Sequence, residues 1–338
     1  MNSPSGKLGV GVIGLGVGEQ HARAYAGMSE CELRWLFDLD TDRADKLAVE
    51  MSAGKVAESF ESILADSDVS IVSIASFDHL HFAEVVAAFE AGKHVFVEKP
   101  LCRTADELKT LQDAWTAANR PHIVSNLVLR QAQVYGWLKQ AIEDGTLGRI
   151  YSFDGDYLYG RLEKITEGWR QDVPDYSVME GGGIHLIDLM LWLTGERPAR
   201  ATTLGNAICT EGTKFGYDDF MATTFEFPSG LIGRITANFG CVHRHHHAVR
   251  VFGTKATFIY DDMGPRLHTS RDENSAAEAL DLAALPEGKG VLVPGFVHSI
   301  INGADATPAA SREFDLISAC TAADRSHAKK ESEEIEYL

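Results

Sequence analysis

The sequence predicts a doubly wound α/β unit followed by a strand-rich α+β unit, and three observations carry that expectation. Residues 8–14 (LGVGVIG) form a short apolar run that ends in a turn marked by Gly14, Gly16 and Gly18; strand-like and helix-like segments then alternate to residue 97; and six segments between residues 150 and 260 are rich in Val, Ile, Thr, Phe and Tyr. Alternation at this pitch builds a parallel sheet wrapped by helices, which takes its ligands at the carboxyl ends of the strands.

Size and charge set the frame. A chain of 338 residues is long for one domain and fits two. Those are placed at 1–125 and 126–338. The formal charge of −18 argues against nucleic acid or an anionic membrane as partner, so a phosphate ligand has to be held by local groups. No run approaches the ~20 apolar residues of a membrane span, and MNSPSGK leads into a strand with no signal-peptide pattern, so a cytoplasmic location is expected. The cysteines at 31, 102, 209, 241 and 320 are scattered without CxxC spacing and are read as reduced, mostly buried thiols.

The first strand, 8–14, runs through the glycine turn into a helix over 21–28. Glycines suit such a turn because a side chain would hold the backbone away from a diphosphate, whose charge is met by free N–H groups at the helix start. The spacing is G-x-G-x-G, with Glu19 where the third glycine of G-x-G-x-x-G would stand, so the motif alone is weak. Its context is stronger. The next strand, 32–38, ends in Asp38, 20 positions after Gly18. A carboxylate there accepts from both ribose hydroxyls and repels a 2′-phosphate, which favours NAD over NADP. The plainer alternative is that Asp38 only turns the chain or caps the helix starting near Thr41, for which Asp40 is the better candidate. Helix 41–51, a strand near Val56, helix 59–65, strand 69–75, helix 79–91 and strand 94–97 complete the unit. Gly14–Gly18, Ala75–His79 and Glu98–Pro100 then converge at the strand ends, which assigns Ser76, His79, His81, Glu98 and Lys99 to the nicotinamide side of a cofactor.

The glycine turn, Ser76-Phe77-Asp78-His79-x-His81 and above all the run 91–100 (AGKHVFVEKP) resemble the glucose-fructose oxidoreductase and inositol dehydrogenase (Gfo/Idh/MocA) family; the resemblance extends over the whole chain once Gly155-Asp156-Tyr157 and 181–188 are included. It implies a Rossmann domain followed by an α+β domain with a large open-faced, mainly antiparallel sheet, which supplies the substrate pocket and commonly a homodimer or homotetramer interface. It also implies a cis Lys99–Pro100 peptide and a Lys99 that binds the substrate oxygen and relays its proton. Bottom-up, the segments 150–159, 200–209, 219–227, 231–240, 247–253 and 256–260 agree, Pro228-Ser229-Gly230 makes a hairpin break, and a helix over 134–144 stopped by Gly145 joins the parts.

Lys99 is the first catalytic candidate. Hydride transfer from an alcohol carbon needs a base for the hydroxyl proton, and a lysine serves if desolvation and the positive nicotinamide ring lower its pKa. The bland reading is a surface lysine paired with Glu98. His185 is the second, in the first turn of a helix opened by Gly181-Gly182-Gly183. The family pattern Asp-x-Gly-x-His-x-x-Asp is matched by Gly183, His185 and Asp188, but Gly181 stands where the first aspartate belongs, and Glu180 is the neighbouring acid available to replace it. Tyr157, Tyr159 and Arg161 alternate on one strand face, with Lys164, Trp169 and Arg170 in the loop beyond. Tyr157, Arg161, Trp169, Arg170 and Asp188 are assigned to the substrate, while Asn126 and Arg130 lie at the junction within reach of either ligand. His243, His245 and His247 alternate too, but hydride chemistry needs no metal, and a polar face of the open sheet is preferred to a metal site. The acidic run Glu331–Glu336 is read as a solvated end.

These residues predict an NAD-dependent dehydrogenase acting on a secondary hydroxyl or keto carbon of a sugar, nucleotide sugar or cyclitol. The rival from another class is a regulatory nucleotide sensor that keeps the fold after losing the chemistry, an idea that rests on position 181.

Overall fold

The computed structural model describes residues 6–337; residues 1–5, most of the lead-in read above, and Leu338 lie outside the described residues. The chain divides into two compact units, one running to residue 128 and taken up again at 286–317, the other comprising 129–285 and 318–338. The single boundary expected at 125/126 is thus too simple. Val293, Phe296 and Val297 of the helix Val293–Ile301 belong to the core of the first unit together with Val10, Val12, Tyr25 and Phe96. Burial of that apolar face brings the segment back.

In the first unit β1 (Leu8–Ile13), α1 (Gly18–Ala26), β2 (Cys31–Phe37), α2 (Thr41–Met51), β3 (Lys55–Val56), α3 (Phe60–Ala65), β4 (Val69–Ile74), α4 (His81–Glu90), β5 (His94–Val97), α5 (Ala105–Ala117) and β6 (Ile123–Ser125) come one after another. The six strands lie parallel in the order β3-β2-β1-β4-β5-β6, so the order reverses between β1 and β4, next to the glycine turn. β1 is buried along its whole length, as a strand covered on both faces must be. Local chemistry sets the helix starts: Asp40 accepts from Arg43 N at 3.2 Å at the head of α2, and Thr104 with Glu107 closes a capping box on α5.

The second unit contains α6 (Gln133–Glu143), β7 (Ile150–Leu158), α7 (Glu163–Thr166), a π-helical turn (Met179–Gly183), α8 (Ile184–Thr194), β8 (Arg200–Asn206), β9 (Phe220–Glu226), β10 (Ile232–Asn238), β11 (His246–Gly253), β12 (Thr257–Asp261), β13 (Gly264–His268), β14 (Glu278–Ala279) and β15 (Glu333–Glu334). Nine strands form one sheet in the order β14-β13-β12-β11-β7-β10-β9-β8-β15, antiparallel except for β7 with β10. α8 is buried without a break from Ile184 to Met190, so it is the core of this unit. Two strand glycines let it come close: a Cβ at Gly155 would meet Leu186 at 3.2 Å, and one at Gly233 would meet Met190 Sδ at 2.3 Å. The expected hairpin break closes through Gly230 N donating to Phe227 O at 2.9 Å, with Gly230 at φ +86°.

The C-terminal acidic run, expected above to be a solvated end, is not simply solvated: β15 pairs with β8, and Glu333 accepts from Lys329 at 2.8 Å and Arg325 at 3.4 Å. The five cysteines are free thiols, and three of them, Cys31, Cys102 and Cys320, are buried; the strand expected over 200–209 ends at Asn206 and leaves Cys209 exposed. Among the described residues no helix is long and apolar enough to cross a membrane.

Candidate active site

Each unit gathers one set of candidate residues. In the first, the glycine turn has a separate reason for each glycine. Gly14 sits at φ +77°, and a Cβ there would lie 2.3 Å from Ala75 O; at Gly18 it would lie 3.2 Å from Ala75 Cβ and Val12 Cγ1, so those two glycines let turn, helix and strands pack. Gly16 has nothing within 4 Å of its missing Cβ. α1 has no side-chain cap, although Gly18 N donates to Gly14 O at 3.2 Å and Gln20 N to Val17 O at 2.9 Å. Open space at the head of a helix without a side-chain cap fits a diphosphate.

Asp38 lies just past β2 and is not the cap of α2, which Asp40 supplies. Its Oδ2 accepts from Leu15 N at 2.6 Å, and its Oδ1 accepts from Asp40 N at 2.9 Å. The carboxylate that sequence spacing assigns to a ribose therefore also holds the glycine turn in place.

The end of β5 is anchored from beneath. Glu98 Oε1 accepts from Asn126 Nδ2 at 2.6 Å and lies 3.4 Å from His21 Nε2, while His21 Nδ1 is 3.1 Å from Ser73 Oγ. Burial raises the Glu98 carboxyl, but the His21 contact outweighs it, with Lys289 and Asn126 assisting, and holds it at about 2. Glu98 is thus a fixed negative charge one residue before Lys99, which is half-buried and joined by a cis peptide to Pro100.

The neighbouring candidates have other work. His81 is wholly buried, with Nδ1 2.8 Å from Pro100 O and Nε2 3.2 Å from Ser76 O, so it ties the Lys99–Pro100 turn to the end of β4 and is not turned outward to a cofactor. Ser76 Oγ donates to Glu84 Oε2. His79 is exposed and stacks on Phe77 at 6.1 Å. The reassignment comes from the helix start: α4 begins at His81, two residues later than expected, which turns position 81 inward and leaves 79 outside.

In the second unit the three glycines at 181–183 are pressed against side chains. A Cβ at Gly182 would lie 2.3 Å from Tyr157 Cε1, and one at Gly183 would lie 2.2 Å from Met179 Sδ. At Gly181 it would lie 2.1 Å from the Tyr176 hydroxyl, so the space where an aspartate was expected is taken by a phenol, to which Arg170 Nε donates at 3.0 Å. Glu180, the acid considered as a replacement, is itself buried.

His185 stacks on Tyr157 with centroids 6.0 Å apart, and Tyr157 stacks on Tyr159 at 6.1 Å. Burial pushes the Tyr157 phenol up, so it stays protonated at neutral pH. His247 and His245 close on Tyr157 edge-to-face at 5.2 and 5.3 Å, and Phe239 lies 4.5 Å from Tyr159. These two histidines thus share the α8 side with His185, not the outer face of the sheet. His243 is separate from them and paired with Asp262 at 2.9 Å. Among the described residues no group of three His, Cys, Asp or Glu is placed to hold a metal ion. Arg161 lies over the Tyr159 ring at 5.7 Å and Arg170 over the Trp169 ring at 4.4 Å.

Asp188, expected to shape the substrate pocket, is 1 % exposed and forms a two-pronged pair with Arg130, whose Nε donates to Oδ2 at 2.9 Å. Three contributors left no local signal. His21, Tyr176 and Phe239 read as ordinary helix, loop and strand-end residues, and only their packing partners give them a role.

A family model described as an oxidoreductase family with an NAD-binding Rossmann fold matches residues 8–125, and the GFO/IDH/MocA C-terminal domain matches residues 135–259. The levoglucosan dehydrogenase of Pseudarthrobacter phenanthrenivorans is 29% identical over 311 residues, covering 82% of this chain and 77% of the relative. The myo-inositol 2-dehydrogenase of Thermotoga maritima is 26% identical, covering 75% of each. Among solved structures, a levoglucosan dehydrogenase in complex with NADH and levoglucosan superposes with a TM-score of 0.86 at 24% identity, covering 98% of this chain and 100% of the other, a likeness of fold.

Proposed function

Since the chain belongs to the GFO/IDH/MocA family of oxidoreductases, we propose that it is an NAD(H)-dependent dehydrogenase that interconverts a secondary hydroxyl and a keto carbon on a sugar or cyclitol. The observation that carries the reading is Lys99, held at the carboxyl end of β5 between an ionised Glu98 and a Pro100 clamped by His81, in the same unit as a glycine turn with open space at Gly16.

The residues divide the labour. The turn at Gly16 and the first N–H groups of α1 hold the diphosphate, and Asp38 receives the adenosine ribose hydroxyls. When bound, the nicotinamide supplies the hydride acceptor or donor. Lys99 Nζ binds the reacting oxygen and takes its proton in the oxidative direction, returning it in the reductive one. His185 is the second acid-base group. The rings of Tyr157, Tyr159 and Trp169 suit the faces of a sugar, and Arg161 and Arg170 suit its hydroxyl or acidic substituents. The carboxylate absent at 181 does not favour a decayed sensor, because the Tyr176 hydroxyl fills that space.

Names of relatives point to anhydro-sugars and inositols as the first panel. Turnover is followed as nicotinamide absorbance with NAD+ or NADP+ and that panel. Activity with NAD+ on at least one polyol is expected, along with a drop of about a thousandfold in kcat for Lys99→Ala, within the range of an acid-base residue. Undiminished turnover in Lys99→Ala would refute the assignment. Self-association through the sheet face turned away from α8, and a cytoplasmic location, complete the proposal.

A further inference from the structure

The diphosphate of a dinucleotide brings two negative charges to a protein of net charge −18, and the glycine turn offers only N–H dipoles. Between residues 8 and 43 the basic side chains besides His21 are Arg23, Arg34 and Arg43. All three are committed to carboxylates: Arg23 to Glu19 at 2.8 Å and Glu50 at 2.7 Å, Arg34 to Asp66 and Asp68 at 3.1 Å, Arg43 to Asp38 at 3.3 Å. Glu19 in the first turn of α1 adds a further negative charge. The local sequence therefore supplies no cation for the phosphates.

The tertiary structure brings one from elsewhere in the same unit. The loop Gly288-Lys289-Gly290 lies against α1: Lys289 N donates to Gln20 Oε1 at 2.7 Å across 269 residues of sequence, and Lys289 O accepts from Asn126 Nδ2 at 2.8 Å. The contact is close enough to require glycine, since a Cβ at Gly290 would lie 2.8 Å from both Ala24 Cβ and Gln20 O. Gln20 is the third residue of α1, in its first turn, and Asn126 comes directly after β6, beside the end of β5. Lys289 is thereby fixed between the helix start and the last strands, the line along which a dinucleotide runs from its diphosphate to its nicotinamide. Its positive charge also helps hold Glu98 ionised. Among the described residues its ammonium forms no ion pair.

We propose that Lys289 is the cation of the dinucleotide site, its ammonium binding the diphosphate that the turn at Gly16 cradles. The proposal rests on the dinucleotide reading of the proposed function. The loop is held by the backbone of residue 289, so Lys289→Arg should keep the melting temperature of the nucleotide-free protein, while Lys289→Gln, which removes a charge that helps hold Glu98 ionised, should lower it slightly and leave the protein folded. Binding of NADH and of ADP-ribose, which has the diphosphate but no nicotinamide, is measured by titration calorimetry on the full chain. Loss of one charge-assisted contact predicts about tenfold weaker binding of both ligands to Lys289→Gln, with Lys289→Arg near wild type. The difference should shrink as salt is raised. Wild-type affinity in Lys289→Gln overturns the proposal, and so does a loss confined to NADH, which would place the charge at the nicotinamide half. A wild-type protein that binds neither ligand is a different failure, because it removes the proposed function itself.

Discussion

Glu98 offers a prediction whose size comes from the structure. Its carboxyl is held at about 2, against an ordinary 4.5, because its contacts with His21 and Asn126 and the charge of Lys289 outweigh the penalty of burial. At ~1.36 kcal/mol for each factor of ten in proton affinity, that difference is worth roughly 3 kcal/mol of stability. The folded pKa lies below the unfolded one, so the contribution is complete above pH 4.5 and is lost as pH falls from 4.5 towards 2. Glu98→Gln keeps the shape and an acceptor for Asn126 but has no charge to lose. Urea unfolding of both proteins across that pH range, free of nucleotide, should show the variant less stable by about 3 kcal/mol near neutrality, with the gap closing as pH falls to 2. A gap that stays constant would refute the reasoning, because the cost of the substitution would then be packing and not charge.

Position 14 and position 16 should respond in opposite ways to alanine. Gly14→Ala meets both a positive φ and Ala75 O at 2.3 Å, and should cost about 3 kcal/mol of stability; Gly16→Ala should leave stability within about 0.5 kcal/mol while weakening NADH binding about tenfold or more, and equal thermal losses would sink the distinction. Burial and then His122 hold His94 down to about 4, below its ordinary 6.5, so its stabilisation is present above pH 6.5 and lost as pH falls towards 4. Scanning calorimetry should find His94→Gln less acid-sensitive over that interval, and parallel losses in the two proteins would contradict it. Leu204, 72% exposed, and Ile232, 43% exposed, lie on the sheet face turned from α8, and Leu204→Glu with Ile232→Glu should give a monomer by sedimentation if that face joins copies; an unchanged mass would exclude it as the interface.

Much of the first unit was legible because its signals are local. Strand and helix alternate with distinct apolar periods, Asp40 caps a helix three residues ahead of the N–H it accepts, and the run from Ala91 to Pro100 places Lys99 at a strand end. The readings that changed each depended on the last few degrees of a boundary or on a distant partner. His81 moved from cofactor to scaffold because α4 starts at residue 81, and Asp188 moved from substrate to ion pair because Arg130 reaches it across 58 positions. His245 and His247 moved to the inner face because β11 runs beside Tyr157 in the register His247 to Tyr157.

The order of apolar and polar residues by itself determined which segments become strand or helix, since period and turn chemistry act over a few neighbours. It determined the glycine turn, the carboxylate at 38 and the lysine before Pro100 in the same way. Only the tertiary structure decided that residues 286–317 return to the first unit, that Glu98 is ionised against His21, and that a phenol fills the place at Gly181. Each of those depends on atoms far apart in the chain meeting at van der Waals or hydrogen-bond distance. Close packing settles such meetings only when the whole core is assembled, and no window of sequence contains them.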